Sequence, residues 1–147
     1  MLNYDVLIQR IINWAESNPD VRAALILGSR ARTDHPADEW SDLDVLVFAS
    51  NPDQFIHSSD WVNSIAPTWL TFFERAGDGE TWERRTLFTD DLDVDVAFNP
   101  AEWLVGIQES IPAVMADIIR RGVKVLVDKD SNLTRILAIK WTPLSIQ

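Results

Sequence analysis

Two short segments of the chain alternate apolar and acidic side chains, and this alternation restricts what they can form. Leu43, Val45 and Val47 lie at every second position of the segment Leu43–Ala49, and Asp42 and Asp44 lie on either side of the first of them. Residues 92–98 repeat the pattern with two more aspartates. Because side chains alternate across a strand, each acid pair lies on one face. Both segments are therefore predicted to be strands with one apolar face and one acidic face.

Apolar spacing along the rest of the chain predicts helices and further strands. Helices are predicted over residues 4–17, within 51–66, from 103 to 107, over 111–120 and over 133–140, and strands over 21–27, 69–75, 81–88 and 122–128. Gly77-Asp78-Gly79 predicts a hairpin turn between two of those strands. This order of elements predicts an α/β (α+β) fold, in which a mixed sheet of about five strands packs against helices. With no internal repeat or linker, residues 1–147 are expected to form a single domain.

The charge and composition of the chain exclude several kinds of site and partner. There are no cysteines, which excludes disulfides and thiolate metal sites and suits a reducing cytoplasm. No apolar run approaches the roughly 20 residues of a membrane span, and the N-terminus lacks the features of a signal peptide. The net charge of −10 opposes nucleic-acid binding and favours a polycationic small molecule, although solubility also explains it. We therefore expect a cytoplasmic protein with no nucleic-acid or membrane partner.

The acid pairs on the two predicted strands are candidates for a metal site. Carboxylates two residues apart on a strand have Cα atoms about 6.5–7 Å apart, and they repel each other when no cation lies between them. Divalent cations relieve that repulsion, and Mg²⁺ prefers hard oxygen ligands. Asp42 and Asp44, with a third carboxylate from the later strand, would make a two-metal site. An Asp-x-Asp pair alone is more often a solvated strand face, so the interpretation needs a second signal.

That second signal is a glycine turn ahead of the first acid pair. Gly28-Ser29-Arg30 follows residues 21–27, whose apolar side chains predict a buried strand. Without a side chain at Gly28, backbone N–H groups can approach phosphate oxygens, and the neighbouring serine adds a hydroxyl donor. The arginine could neutralise charge that develops on a departing pyrophosphate. Such a turn is usually structural by itself, but an Asp-x-Asp strand that opens thirteen residues after Ser29 is a much more specific pattern.

The order of these motifs carries a family resemblance. Leu25-Ile-Leu-Gly-Ser-Arg30 followed by Trp40-Ser-Asp-Leu-Asp-Val45 resembles the signature of the polymerase-β-like nucleotidyltransferases. Within that superfamily the chain is most similar to the aminoglycoside 6-adenylyltransferase (streptomycin adenylyltransferase) family. The likeness continues through Asp60-Trp61-Val62, the predicted hairpin, Val94-Asp95-Val96 and Lys124-Val-Leu-Val-Asp-Lys-Asp130, so that it spans nearly the whole chain. The resemblance implies the palm domain of a nucleotidyltransferase.

The resemblance also implies a reaction and the residues that perform it. An enzyme of this kind uses Mg²⁺ and transfers AMP from ATP to a hydroxyl group, with release of pyrophosphate. The implied catalytic and metal-binding residues are Asp42, Asp44 and Asp95, and the implied nucleotide-binding residues are Gly28, Ser29 and Arg30. Asp95 is the third carboxylate because Pro100 follows it at the family's spacing, and Asp93 on the same face is the alternative.

The acceptor is less constrained than the catalytic site. The resemblance implies a small, cationic, hydroxylated acceptor such as an aminoglycoside. The alternatives are a minimal antitoxin-type nucleotidyltransferase that acts on a partner protein, and a non-catalytic nucleotide-binding module. The family's helical C-terminal domain, which helps to form the antibiotic pocket, has no counterpart in these 147 residues. A homodimer is one way in which a chain of this length could complete its site.

Several residues outside the motifs also invite interpretation. Trp14, Trp61 and Trp103 fall at apolar helical positions and are predicted to pack in the core. Arg84-Arg85 projects to opposite faces of a predicted strand, where a solvated face is favoured over a phosphate contact. Glu83 is a candidate base for the acceptor hydroxyl.

Overall fold

The fold is a mixed sheet with helices on both faces. The computed structural model describes residues 2–28, 31, 42–75, 81–107 and 113–138. The helices there are α1 (Tyr4–Ser17), α2 (Asp53–Ile56), α3 (Asp60–Ile65), α4 (Glu102–Val105), α5 (Ala113–Arg121) and α6 (Asn132–Leu137). The strands are β1 (Val21–Leu27), β2 (Leu43–Ala49), β3 (Thr68–Arg75), β4 (Trp82–Phe88), β5 (Leu92–Pro100) and β6 (Lys124–Asp128). Among the helices of these ranges, none is both long and apolar enough to cross a membrane.

The strands follow a topology that places β2 and β5 at the centre. In the described residues the six strands form one sheet in the order β3-β4-β5-β2-β1-β6. β2 and β5 run parallel, and every other neighbouring pair is antiparallel. A parallel pair needs a long crossover connection, which α2, α3 and the β3–β4 hairpin supply. The N-terminal ends of β2 and β5, where the aspartates lie, are therefore side by side.

α1 covers one face of the sheet with the stripe that its sequence predicts. The helix begins after Asn3, whose side-chain oxygen accepts a 2.9 Å hydrogen bond from the Val6 N–H and so satisfies one of the unpaired donors of the first turn. Leu7, Ile11 and Ala15 recur at helical spacing and are all buried. The face of the sheet beneath α1 is thus closed by apolar packing.

Buried apolar side chains of the described residues form two clusters, one on each face of the sheet. The first joins α1, α2 and α3 to one face of the central strands, where Val45 and Val96 are almost fully buried. The second joins Leu25 and Phe48 to the helices that follow β5, through residues such as Leu104. Because this second cluster draws its sheet residues from β1 and β2, the acidic ends of β2 and β5 lie at its margin.

All the predicted strands and helices are present, with some ends shifted. The sheet has six strands rather than about five, because β6 pairs with β1 at the sheet edge. β5 continues through Pro100, which the sequence placed after the strand. Proline has no N–H to donate, and none is needed at this position, because the hydrogen bond to the Ala49 carbonyl comes from the N–H of the next residue, Ala101, at 2.8 Å. β3 and β4 pair antiparallel as predicted, whereas the turn at residues 77–79 lies outside the described residues.

The three tryptophans predicted to lie in the core divide into two groups. Trp14 and Trp61 stack with ring centroids 4.7 Å apart, and both contact Phe55, which confirms the prediction for them. Trp103 is 53% exposed, so the prediction for it is wrong. The four-residue helix α4 buries Leu104 instead. A single helical turn is too short to place a second apolar side chain on the same side as Trp103.

Candidate functional site

The parallel pairing of β2 and β5 brings three of the predicted site residues together. Asp44 is directly opposite Asp95 in the register of the two strands, and Asp42 precedes Asp44 by two positions. Each of the three offers a carboxylate oxygen that lies within 4.8 Å of the oxygens from the other two. All three side chains are half-buried. This is the separation at which carboxylates can share a divalent cation.

Gly28 has a structural role that the sequence alone did not reveal. It ends β1 with φ of +81°, a conformation that side chains other than glycine rarely adopt. Leu27, the residue before it, pairs with Asp44 across the sheet. A Cβ atom built on Gly28 would lie 2.5 Å from the Asp44 Oδ2. The glycine therefore leaves room for the Asp44 carboxylate as well as permitting the turn.

The remaining predicted nucleotide-binding residues have a different outcome. Ser29 and Arg30 lie outside the described residues, so their roles stay predictions. Trp40, which precedes the first acid pair in the sequence, also lies outside the described residues. The contact of Gly28 with phosphate is likewise a prediction, because what the structure adds at this position is the approach of Asp44.

Burial and mutual repulsion raise the pKa values of two of the clustered carboxyls. The pKa of Asp44 rises to about 6, chiefly because the group is buried and then because Asp42 and Asp93 are negative. The pKa of Asp95 rises to about 7, again chiefly through burial, while Arg85 opposes the rise. The Asp95 Oδ1 atom is buried without a hydrogen-bond partner. A bound divalent cation would offset the repulsion between the carboxylates and would give the buried Asp95 Oδ1 a positively charged partner.

The β3–β4 hairpin adds charged side chains to the same face of the sheet. Arg85 is opposite Asp95, and Glu83 is opposite Ala97, so both side chains project toward the carboxylate cluster. Glu74 on β3 is in turn opposite Glu83. Burial raises the pKa of Glu83, and the negative charges of Glu74 and Asp44 raise it further. The acidic face thus extends over four neighbouring strands, β2, β5, β4 and β3.

The two adjacent arginines project to opposite faces, as predicted, but neither lies on a simply solvated face. Arg84 is buried at 4% exposure, where its guanidinium donates to the Ile56 carbonyl. Arg85 is 41% exposed at its side chain and makes ion pairs with three carboxylates. The preference for a solvated face is therefore wrong for Arg84, whereas Arg85 is partly solvated and also has fixed acceptors on its side of the sheet.

A cavity of about 390 Å³ opens beside the carboxylates. Its walls are mostly apolar side chains from β1, β2 and the helices after β5, and Trp103 is among its lining residues. Polar groups also line it, including Asp44, Asp95, Glu83 and Asn99. Apolar walls with a few convergent polar groups are typical of small-molecule sites. The carboxylate cluster is thus next to a space in which a substrate can bind.

Sequence reasoning did not identify Glu74, Asn99 or the part that Arg85 plays. The signal for Asn99 is its even spacing from Asp93, Asp95 and position 97 on β5, which puts it on the acidic face. That Glu74 and Arg85 lie beside the carboxylates can be predicted only when the register between the strands is known. Alternation indicates which residues of β4 share a face, but it does not indicate which of those residues lies beside Asp95.

The chain is similar to known proteins along most of its length. The family model described as streptomycin adenylyltransferase matches residues 1–146. An aminoglycoside 6-adenylyltransferase of Campylobacter jejuni is 26% identical over 139 residues, which cover 90% of this chain and 43% of that protein. The crystal structure of an aminoglycoside 6-adenyltransferase from Bacillus subtilis matches with a TM-score of 0.59 at 14% identity, covering 89% of this chain and 43% of the other. That structural likeness concerns the fold alone. The chain spans less than half the length of either relative.

Proposed function

Because the chain belongs to the streptomycin adenylyltransferase family, we propose that it transfers AMP from ATP to a hydroxyl group of a small cationic acceptor, with Mg²⁺ as its metal. The observation that carries the proposal is the meeting of Asp42, Asp44 and Asp95 on neighbouring parallel strands. Phosphoryl transfer of this type depends on positioning and on neutralising charge, and clustered carboxylates that hold divalent cations serve both needs.

Asp42, Asp44 and Asp95 would hold the metal, and the donor set fits a hard divalent cation. The groups are oxygen ligands, one of them has a buried oxygen without a hydrogen bond, and Gly28 lacks the Cβ that would crowd Asp44. When bound, Mg²⁺ would supply charge neutralisation on the triphosphate and activation of the attacking oxygen. The three aspartates would supply the carboxylate ligands, and the parallel register of β2 and β5 fixes Asp44 beside Asp95.

Glu83 would act as the base that takes the proton of the acceptor hydroxyl. Its side chain lines the cavity together with Asp44 and Asp95, so an acceptor that reached the cluster would meet it. Burial and neighbouring acids raise its pKa, and a carboxylate with a raised pKa accepts a proton more readily. The O–H bond of the acceptor would break as its oxygen bonds to the α-phosphorus, and pyrophosphate would leave.

The two sides of the cluster differ in a way that would separate the substrates. The cavity beside Leu46 and Phe48 is apolar and suits the nucleobase of the donor. The hairpin side presents Glu74, Glu83 and Asp93, which would attract a polycation. We therefore propose that the donor base enters the cavity and that the acceptor approaches from the hairpin.

An aminoglycoside is the acceptor class to test first. The two relatives bear the names aminoglycoside 6-adenylyltransferase and 6-adenyltransferase, and the net charge of −10 favours a cationic acceptor. The identity of the acceptor stays a proposal because the chain covers 43% of each relative. A homodimer and the absence of nucleic acid as a partner remain predictions in the same way.

The test is pyrophosphate release from ATP and Mg²⁺ across a panel of aminoglycosides, with other triphosphates in parallel. We expect release with at least one acceptor, and we expect Asp42→Asn to lower it by at least about a thousandfold, because a metal supplies several kcal/mol to this chemistry. Asp60→Asn is the matched control, since this exposed aspartate lies on α3 on the opposite side of the sheet.

Two results would contradict the proposal. One is a wild-type protein that binds no triphosphate in the presence of Mg²⁺ or Mn²⁺. The other is an Asp42→Asn variant that releases pyrophosphate as fast as the Asp60→Asn control does.

A further inference from the structure

Arg85 lies within contact distance of three carboxylates on the acidic face. Its Nη2 is 3.2 Å from the Asp93 Oδ2, its Nε is 3.4 Å from the Asp95 Oδ1, and its Nη1 is 3.7 Å from the Glu74 Oε1. One guanidinium thus contacts acids from β3 and β5, the two strands that flank its own. The planar fork of arginine has the donors to contact several carboxylates at once, which a lysine lacks.

The contact with Asp95 differs from the other two. The Asp95 side chain is only 13% exposed, compared with 36% for Asp93 and 37% for Glu74. Its Oδ1 faces the guanidinium but has no hydrogen bond. Arg85 therefore compensates the charge of Asp95 without saturating the oxygen, and that oxygen remains available to a stronger electrophile.

The position of Arg85 follows from the register of the sheet. Arg85 is opposite Asp95 on β5, and Asp95 is opposite Asp44 on β2, so the three residues form one row across three strands. Asp95 is therefore flanked by a cation on one side and by a carboxylate on the other. A divalent cation bound by Asp44 and Asp95 and the guanidinium of Arg85 would therefore both interact with the Asp95 carboxylate.

We infer that Arg85 is a built-in counter-ion of the carboxylate cluster, which stabilises the metal-free fold and competes with the divalent cation for Asp95. The inference rests on the proposed function, because it assumes that the cluster binds a metal. Without metal, the guanidinium offsets the repulsion among the acids that β2 and β5 bring together. With metal, part of that compensation becomes repulsion between two cations, so Arg85 lowers the affinity of the site.

The two consequences have opposite signs, which makes the inference testable by binding and melting rather than by turnover. Removing the guanidinium should weaken the metal-free fold, since the acids lose their counter-ion. The same change should tighten metal binding, since a competitor for Asp95 is removed. A residue that only held Asp95 in its binding conformation would behave differently, because its loss would weaken metal binding.

The experiment is calorimetric titration of the full chain with Mn²⁺, together with thermal melting in EDTA and in Mg²⁺, for the wild type and Arg85→Gln. We expect Arg85→Gln to bind Mn²⁺ roughly fivefold more tightly, a change of the size expected for a partly exposed ion pair. We also expect it to melt at a lower temperature in EDTA and to gain more from Mg²⁺ than the wild type gains. Arg22→Gln is the matched control, because it removes an equal charge from a distant pair, Arg22 with Asp130 at 2.7 Å.

Equal or weaker Mn²⁺ affinity in Arg85→Gln would overturn the inference. Should that variant be unfolded in EDTA, refolding on addition of Mg²⁺ would support the counter-ion role. Should it be unfolded in both conditions, Arg85→Lys decides, because it keeps the charge but loses the fork. For this variant, an affinity from that of the wild type to about fivefold tighter supports the inference, because the retained charge still competes for Asp95, and a weaker affinity overturns it. If the wild type itself bound no Mn²⁺, the proposed function would fail first, and this outcome is distinct from the others.

Discussion

The two faces of β5 show how one strand can serve packing and chemistry together. Val94 and Val96 point toward α1–α3 and are 1% and 5% exposed. Asp95 lies between them in the chain and points to the other face, where it meets Asp44 and Arg85. The first face is closed by apolar contact, while the second is left at the margin of the α4–α6 layer with carboxyls whose pKa values are raised. Apolar packing dominates the first face of β5, and repulsion between carboxyls that a bound cation could relieve is concentrated on its second face.

The largest expected effect is on turnover and comes from comparing two substitutions, one on each face. Asp44→Asn should reduce turnover by at least about a thousandfold, because it removes a metal ligand. It should leave the metal-free free energy of unfolding unchanged or higher, because it removes a buried charge. Val94→Ala on the packed face should instead lower that free energy by roughly 1.5–3 kcal/mol and leave the turnover of the folded fraction near that of the wild type. Turnover assays and urea unfolding of both variants make the comparison.

Either of two results would contradict this division between a packed face and a catalytic face. Asp44→Asn could lose stability on the scale of a core substitution, which would make its role structural. Alternatively, Val94→Ala could lose turnover as completely as Asp44→Asn while remaining folded.

A smaller effect on turnover is expected at Glu83, which lies on the acidic face but does not hold the metal in our proposal. Glu83→Gln should lower turnover by roughly a hundredfold or more, because the variant has no carboxylate to take the proton of the acceptor hydroxyl. Mn²⁺ affinity should stay within about threefold of wild type, since a neighbouring acid contributes less than a ligand. Glu102→Gln on α4 is the control. Turnover that equals the control would exclude Glu83 as the base.

Gly28 matters both to the fold and to the candidate site, because it ends the buried strand β1 and leaves room for the Asp44 carboxylate. Gly28→Ala should lower the free energy of unfolding by roughly 1–3 kcal/mol, the cost of placing a side chain in a left-handed conformation. It should also weaken Mn²⁺ binding, because its Cβ would displace the Asp44 carboxylate. Gly106→Ala is the matched control, since a Cβ there meets its nearest neighbour at 3.8 Å. Unfolding and Mn²⁺ titration that match this control would contradict the assigned role.

The smallest expected effect is a pH dependence of stability that belongs to the acidic face alone. The folded-state pKa values of Asp44 and Asp95, about 6 and about 7, lie above the ordinary value of 3.8. Below about pH 4 both states hold these protons, so neither carboxyl is penalised. As the pH rises from about 4 to about 7, the unfolded chain has released these protons while the folded chain still holds them, so the metal-free fold loses stability. We expect melting in EDTA to fall by a few degrees between pH 5 and pH 8 because of these two groups.

The check on this pH dependence is a double variant, Asp44→Asn with Asp95→Asn, melted in EDTA across the same range. Its melting temperature should fall less than that of the wild type. A control double variant, Asp53→Asn with Asp60→Asn, removes two exposed acids from α2 and α3 and should keep the wild-type dependence. An equal fall in all three proteins would show that the dependence does not arise at the site.

The spacing of apolar residues within each segment predicted most of the fold and part of the candidate site. It identified the strands, the shared face of Asp42 and Asp44, and the stripe of α1, because each of these depends on neighbours in the chain. It did not predict that Arg85 faces Asp95, since that contact depends on the register between two strands. The exposure of Trp103 was missed for a related reason, because it depends on how short α4 is rather than on the spacing of its apolar residues.

The most direct test of the account is where a metal binds. Crystals of the full chain soaked in Mn²⁺, which scatters anomalously, would locate the ion without relying on activity. The account predicts an anomalous peak bonded to carboxylate oxygens of Asp42, Asp44 and Asp95. A peak held by Asp93 and Glu74 instead, or no peak at these three aspartates at saturating Mn²⁺, would contradict it.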